Sequence, residues 1–271
     1  MTTEDPTSAV AIGSAFASWR PEFEGRVSVV VGASTGIGQA IALNMAAIGA
    51  RVVVVGRVLE RLSETVTLAK ANGLEVHPYE ADVLSPDSIS SLVSTVVGEH
   101  ASPTILVNSA GVMVTKAALE INVDEWDLVL NTQLRGPFLT SQGFARGMAD
   151  QGYGKIINLS STWAFTYADG RSAYAAAKAG LTHLTTALGS EWAPLGIRVN
   201  AIAPGATKTP AVTSRMAENP EREAWLVSRT PIGRLAEPAD MVGAAMFLAS
   251  PFSDFITGET ILIDGGWRAS K

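Results

Sequence analysis

Tyr174 and Lys178 stand four residues apart, and Ser161 stands thirteen residues before Tyr174. On a helix, a spacing of four stacks two side chains on one face, one turn apart. An ammonium beside a phenol stabilises the phenolate, drawing the Tyr pKa down from about 10 towards neutral pH. A Tyr tuned in this way passes a proton to or from an alcohol or carbonyl oxygen. Ser161 follows the apolar run Ile156-Ile157-Asn158-Leu159, which reads as a buried strand. A strand end can hold a hydroxyl beside the first turns of the next helix. Taken alone, Tyr-x-x-x-Lys also arises from a packing aromatic and a solvated Lys. The elements around it decide between the two.

Arg26 to Val31 reads as a strand, Gly32-Ala33-Ser34-Thr35-Gly36-Ile37-Gly38 as a glycine turn, and the next residues as a helix to about Ile48. That context suits a phosphate-binding loop. Glycines let the backbone approach a pyrophosphate, and the helix N-terminus offers free N–H groups. A second, β-branched strand, Arg51 to Val55, ends at Gly56-Arg57. An acidic residue there would bind an adenosine ribose; Arg57 would instead meet a 2′-phosphate, so NADP is expected in preference to NAD. Asp82, at the end of a third strand and followed by Val83, could accept from an adenine amine. Thr104–Val107 reads as a fourth strand ending at Asn108-Ser109-Ala110-Gly111, and a long helical stretch runs from about Val123 to Ala149, bent near Gly136-Pro137. Alternating strands and helices predict a parallel Rossmann-type α/β sheet of about seven strands, doubly wound, in one domain.

Composition narrows the function. Of 271 residues, 47% are hydrophobic and 17% charged, with a net charge of −6 and no cysteine. No basic stripe favours nucleic acid or an anionic membrane as a partner. No thiolate can serve as nucleophile or metal ligand, and no metal site is expected. No apolar run is long enough to span a bilayer, and residues 1–24 lack the pattern of a signal peptide. A cytoplasmic protein is expected, with residues 1–24 an N-terminal extension, mobile or packed on a neighbouring subunit. Residues 25–271 form the domain.

The chain resembles the compact, single-domain short-chain dehydrogenases/reductases. Gly32, Gly36 and Gly38 match the family's loop, Asn108-Ser109-Ala110-Gly111 its Asn-Asn-Ala-Gly element, and Ser161, Tyr174 and Lys178 its catalytic spacing. Asp82-Val83, Ala203 to Thr207, and the segments Ile256-Thr257-Gly258 and Asp264-Gly265-Gly266 match in order. The resemblance implies hydride transfer between a nicotinamide and a secondary alcohol or ketone. Tyr174 is the implied acid/base. Lys178 would lower its pKa and hold the nicotinamide ribose, and Ser161 would bind the substrate oxygen. Cofactor contacts are implied for Gly32, Ser34, Thr35, Gly36, Ile37, Gly38, Arg57, Asp82, Val83, Asn108, Ala110, Gly111, Pro204, Gly205 and Thr207. Where the family carries an Asn within Asn-Leu-x-Gly-x-Phe, this chain reads Gln133-Leu134-Arg135-Gly136-Pro137-Phe138. The expected relay water would then rest on Gln133.

The helix from about Arg171 to Trp192 is rich in Ala, and the resemblance makes it a subunit face of a homotetramer. Residues 206–234 interrupt the βα rhythm after a strand end, where α/β folds place ligands, and read as a substrate lid. Trp163, Phe165, Tyr167 and Trp225 are the expected aromatic walls of the substrate pocket. Two other classes use such chains. Nucleotide-sugar epimerases or dehydratases share Tyr-x-x-x-Lys but carry a larger C-terminal region. Non-catalytic nucleotide sensors tend to lose the acid/base residues that stand here.

Overall fold

Val27-Ser28-Val29-Val30-Val31 shows no polar–apolar alternation, and all five residues are buried. A strand covered on both faces reads this way, and it lies at the centre of a parallel sheet. The computed structural model describes residues 13–167, 169–217 and 220–270. In chain order the elements are α1 (Arg20–Phe23), β1 (Val27–Val31), α2 (Gly36–Ala47), β2 (Arg51–Gly56), α3 (Ser63–Ala71) and β3 (Val76–Glu80). Next come α4 (Pro86–His100), β4 (Ile105–Asn108), α5 (Val123–Leu130), α6 (Gly136–Asp150), β5 (Gly154–Leu159) and α7 (Ser172–Glu191). Then follow β6 (Ile197–Pro204), α8 (Pro210–Ala217), α9 (Pro220–Ser228), α10 (Val242–Ala249) and β7 (Thr260–Ile263).

The seven strands are ordered β3-β2-β1-β4-β5-β6-β7, all parallel. The chain reverses its direction of travel across the sheet between β1 and β4. In open α/β sheets, ligands bind outside the carboxyl ends of the strands at such a switch point. The glycine loop, Ser109–Gly111, Ser161 and Gly205 all leave strands at that edge.

Each strand divides its side chains between two cores by its period of two. Val30, Val52 and Val54 pack with Ile41, Leu43 and Met45 of α2 and Met246 of α10. Val29, Val31, Val53 and Val55 face the opposite side, towards Leu92 and Val96 of α4 and Phe144 and Met148 of α6. The described part of the N-terminal extension packs on its own chain. Phe23 is fully buried, Phe16 and Trp19 cover the first core, and Trp19 meets Phe252 edge-on at 5.0 Å. Residues 1–12 lie outside the described residues. Among the described residues no helix is long and apolar enough to cross a membrane.

The long helix expected from Val123 is α5 and α6 joined through a π turn at Asn131–Arg135, where the Gly136 N–H donates to the Asn131 carbonyl. Pro137 has no N–H, and its ring crowds the carbonyl four residues earlier, that of Gln133. Widening the preceding turn relieves that crowding. The irregularity thus lies one turn before Gly136-Pro137 and includes Gln133.

Candidate active site

The switch-point cleft divides into an outer cavity of about 370 Å³ and an inner one of about 300 Å³. They share Ile37, Ser109, Gly111, Val112, Thr209 and Ala211, so one ligand can run through both.

The glycine loop lines the outer cavity. Gly32 sits at φ +86°, and a Cβ there would lie 2.4 Å from the Ala110 nitrogen. A Cβ on Gly38 would lie 2.2 Å from the Gly32 carbonyl, so any larger residue would push α2 off the loop. Gly38 therefore serves packing beneath the cleft and does not line it. Thr65 donates to the Ala33 carbonyl at 2.7 Å and Gln39 to the Ser34 carbonyl at 3.2 Å, which pins the loop. Thr35 is extended at the N-cap of α2 and makes no side-chain cap. The first-turn N–H groups of α2 are left for an anion, and the helix dipole favours one there.

Of the residues expected to hold the cofactor, Ser34, Thr35, Gly36, Ile37, Arg57, Asp82, Val83, Ala110 and Gly111 line this cavity. Asp82 also caps its own turn, its Oδ1 accepting from the Leu84 N–H at 2.9 Å. Arg61 joins Arg57 at the mouth. It was missed because its turn, Leu59–Leu62, has no apolar period to orient it; its position four residues after Arg57 was the available signal. The glycine cradle, the uncapped helix and the paired arginines fit a dinucleotide phosphate.

Asn108 is a correction. Its side chain turns away from the cleft into a buried polar ladder. Nδ2 donates to Asn158 Oδ1 at 2.9 Å and Ser141 Oγ at 3.0 Å, and Oδ1 accepts from Thr140 Oγ1 at 2.7 Å. Asn158 Nδ2 continues to Thr185 Oγ1 at 3.0 Å. Strand alternation sends position 108 inwards and position 109 to the cavity.

The inner cavity brings together Ser161, Tyr174, Lys178, Gln133, Trp163, Pro204, Gly205 and Thr207. Ser161 ends the turn after β5, where its Oγ accepts from the Trp163 N–H at 3.2 Å. α7 carries Tyr174 and Lys178 on one face, and the Lys178 Nζ donates to the Leu159 carbonyl at the end of β5. Burial pushes the Tyr174 phenol above its ordinary value, opposed by the Ser161 hydrogen bond and the Arg171 charge. The sequence expectation that Lys178 draws this pKa down is not met. Burial pulls Lys178 itself down to about 7, which removes much of the charge that would act on Tyr174.

Gln133 is buried in the π turn, and its Nε2 donates to the Val112 carbonyl at 2.7 Å. Its Oε1 is buried with no hydrogen-bond partner. The longer amide therefore braces the segment after β4 and leaves one acceptor over.

The walls differ from expectation. Trp163 lines the cavity and stacks edge-on against Trp267 at 5.2 Å, so the C-terminal segment closes that side. Phe165 lies under Arg268, and Tyr167 is 82% exposed. Neither lines the cavity. Trp225 is also turned out, 49% exposed, with Arg229 over its ring. The 3.6-residue period of α9 puts Arg222 and Leu226 on the cavity face instead. Within residues 206–234, α8 and α9 build a small core of Met216 and Leu226 that is completed by Leu235. The segment also reaches the glycine loop, since a Cβ on Gly36 would lie 3.0 Å from Thr209 Cγ2.

Sequence reasoning missed the inner arginines. Arg171 is 7% exposed and lines the cavity with Arg215 and Arg222. Burial, then the charges of Arg222 and Arg215, pull Arg171 down to about 10.

A family model described as enoyl-(acyl carrier protein) reductase matches residues 32–268. The 2-dehydro-3-deoxy-D-gluconate 5-dehydrogenase of Escherichia coli is 38% identical over 247 residues, 91% of this chain and 96% of that protein. A short-chain type dehydrogenase/reductase from Mycobacterium marinum superposes with TM-score 0.87 at 33% identity, covering 93% of this chain and 98% of the other. A gluconate 5-dehydrogenase from Burkholderia cenocepacia, in complex with NADP and tartrate, gives TM-score 0.87 at 30% identity, over 92% and 98%. Sequence, sheet order and site agree: the chain belongs to the short-chain dehydrogenase/reductase family and is an NAD(P)-dependent oxidoreductase working between secondary alcohols and ketones.

Proposed function

We propose that Tyr174 is the acid/base of this oxidoreductase, with Ser161 and Lys178 as its partners. The observation that carries the reading is their convergence in one cavity that opens into the dinucleotide cleft. The nicotinamide cofactor, when bound, supplies or accepts the hydride. Tyr174 moves the proton at its hydroxyl to or from the substrate oxygen. Ser161 hydrogen-bonds that oxygen as its charge changes. Lys178, when charged, would favour the Tyr174 phenolate. Lys178 would also hold the nicotinamide ribose. Pro204, Gly205 and Thr207 would set the ring, Thr207 being fixed by its own bond to the Gly205 carbonyl at 3.1 Å.

NADP is the preferred cofactor in this reading. Arg57 and Arg61 stand together at the mouth, no carboxylate follows β2, and a relative holds NADP. The protein is read as a cytoplasmic homotetramer. Exposed Leu119, Val123 and Trp126 beside and on α5 support a subunit face there. Residues 206–234 act as the substrate lid.

The test is a panel of polyols, sugars, steroids, keto esters and cyclic ketones, followed by NADPH absorbance with NADH in parallel, for the native protein and Tyr174→Phe. The Phe variant should lose nearly all turnover and keep cofactor affinity. A Phe variant with native kcat sinks the assignment.

A further inference from the structure

Among the described residues, the inner cavity is lined by the arginines Arg171, Arg215 and Arg222 and by no carboxylate. Arg171 is nine-tenths buried, and its Nε has no hydrogen-bond partner among the described residues. Its Nη1 reaches Met113 Sδ and donates to Thr115 Oγ1 at 2.7 Å. Arg215 comes to the same sulfur at 3.0 Å and donates to the Met113 carbonyl at 3.1 Å. Two guanidiniums thus converge on a neutral thioether, a weak acceptor. Burying like charges side by side without a counter-charge is unfavourable. A ligand anion would supply the missing charge, and a guanidinium fork matches a carboxylate or phosphate with two parallel bonds.

We propose that Arg171 and Arg215, with Arg222 beside them, form a subsite for an anionic group of the substrate. The substrate is then a small hydroxy acid or its keto form, or the phosphorylated equivalent, with the carbinol carbon at Tyr174. Arg171 precedes Tyr174 by three residues at the start of α7, so an anion held there lies a short carbon chain from the proton-transfer site. The assignment rests on the reading that Ser161 and Tyr174 hold the reacting oxygen.

The experiment uses hydroxycarboxylates of three to six carbons, each paired with its primary amide, and sugar phosphates bearing a secondary hydroxyl. Turnover is read with NADP, and binding to the NADPH-saturated protein is read by calorimetry, which reports even where turnover is slow. The best acid should exceed its amide by about 10- to 150-fold, mainly through KM, the range expected for charge-assisted bonds. Arg215→Gln should erase most of that ratio, and Arg215→Lys should restore part of it. Phosphates outdoing carboxylates would keep the subsite and name its anion. Amides matching acids throughout would overturn the proposal. So would an Arg215→Gln variant that loses acid and amide by the same factor, which is the mark of a merely structural Arg. Tyr174→Phe, run alongside, should slow acids and amides equally. If it slows neither, the proton-transfer reading fails while the acid-to-amide ratio still judges the subsite.

Discussion

The Lys178 ammonium lies 5.7 Å from the centroid of the Tyr174 ring and gives its hydrogen bond to the Leu159 carbonyl. One backbone acceptor at a strand end thereby fixes the Lys178 amine beside the phenol. The arrangement costs stability, because Lys178 is 5% exposed and has no carboxylate partner among the described residues.

That cost has a pH signature. In the folded protein Lys178 titrates at about 7, against 10.5 for a free side chain. Between those values the unfolded chain binds the extra proton, so stability rises with pH, by up to ~1.4 kcal/mol per unit from this group. The penalty is complete below pH 7 and disappears as the pH passes 10.5. Lys178→Met should therefore be more stable than the native protein at pH 6, converge with it near pH 10.5, and be inactive. Denaturant midpoints across that range test this; parallel native and variant curves would show that Lys178 is not carried uncharged.

Gln133 should act through position and not through its charge state. Gln133→Leu removes the bond to Val112 and is expected to lower kcat and shift the pH profile. Gln133→Asn, whose amide falls short of that carbonyl, should rescue only part. Identical profiles for native, Leu and Asn proteins would take the residue out of proton transfer.

Arg57 and Arg61 should share the 2′-phosphate. Each contact of this kind is worth roughly 1.5–3 kcal/mol. Arg57→Ala and Arg61→Ala should each lower kcat/KM for NADP by about 10- to 150-fold and leave NAD nearly alone. Gly56→Asp would blur the test, since a Cβ there lies 3.2 Å from Leu62. Equal losses with both cofactors, or a native preference for NAD, would defeat this reading.

Asn108 should matter for stability and not for cofactor affinity. Asn108→Ala removes the donor to Ser141 Oγ and Asn158 Oδ1, both buried, and should cost about 2–4 kcal/mol. A denaturation midpoint unchanged by the substitution, with weaker NADPH binding, would return Asn108 to the cofactor site.

What the sequence determined by itself is whatever local pattern controls. The β-branched runs specify buried parallel strands, the glycine spacing specifies a loop that only glycine can form, and Ser161, Tyr174 and Lys178 are placed by one strand end and one helix period. Tertiary structure decided the rest, because it depends on which side of an element meets the cleft. Asn108 and Ser109 are neighbours, yet one enters the polar ladder and the other the cavity. Trp225 turns to solvent while Arg222 and Leu226 turn in, a choice fixed by how α9 packs on α8. Trp267 and the arginines at Met113 come from segments distant in sequence, and no local period records their meeting. The raised Tyr174 pKa likewise follows from burial of the phenol, a property of the folded cavity that four-residue spacing does not contain.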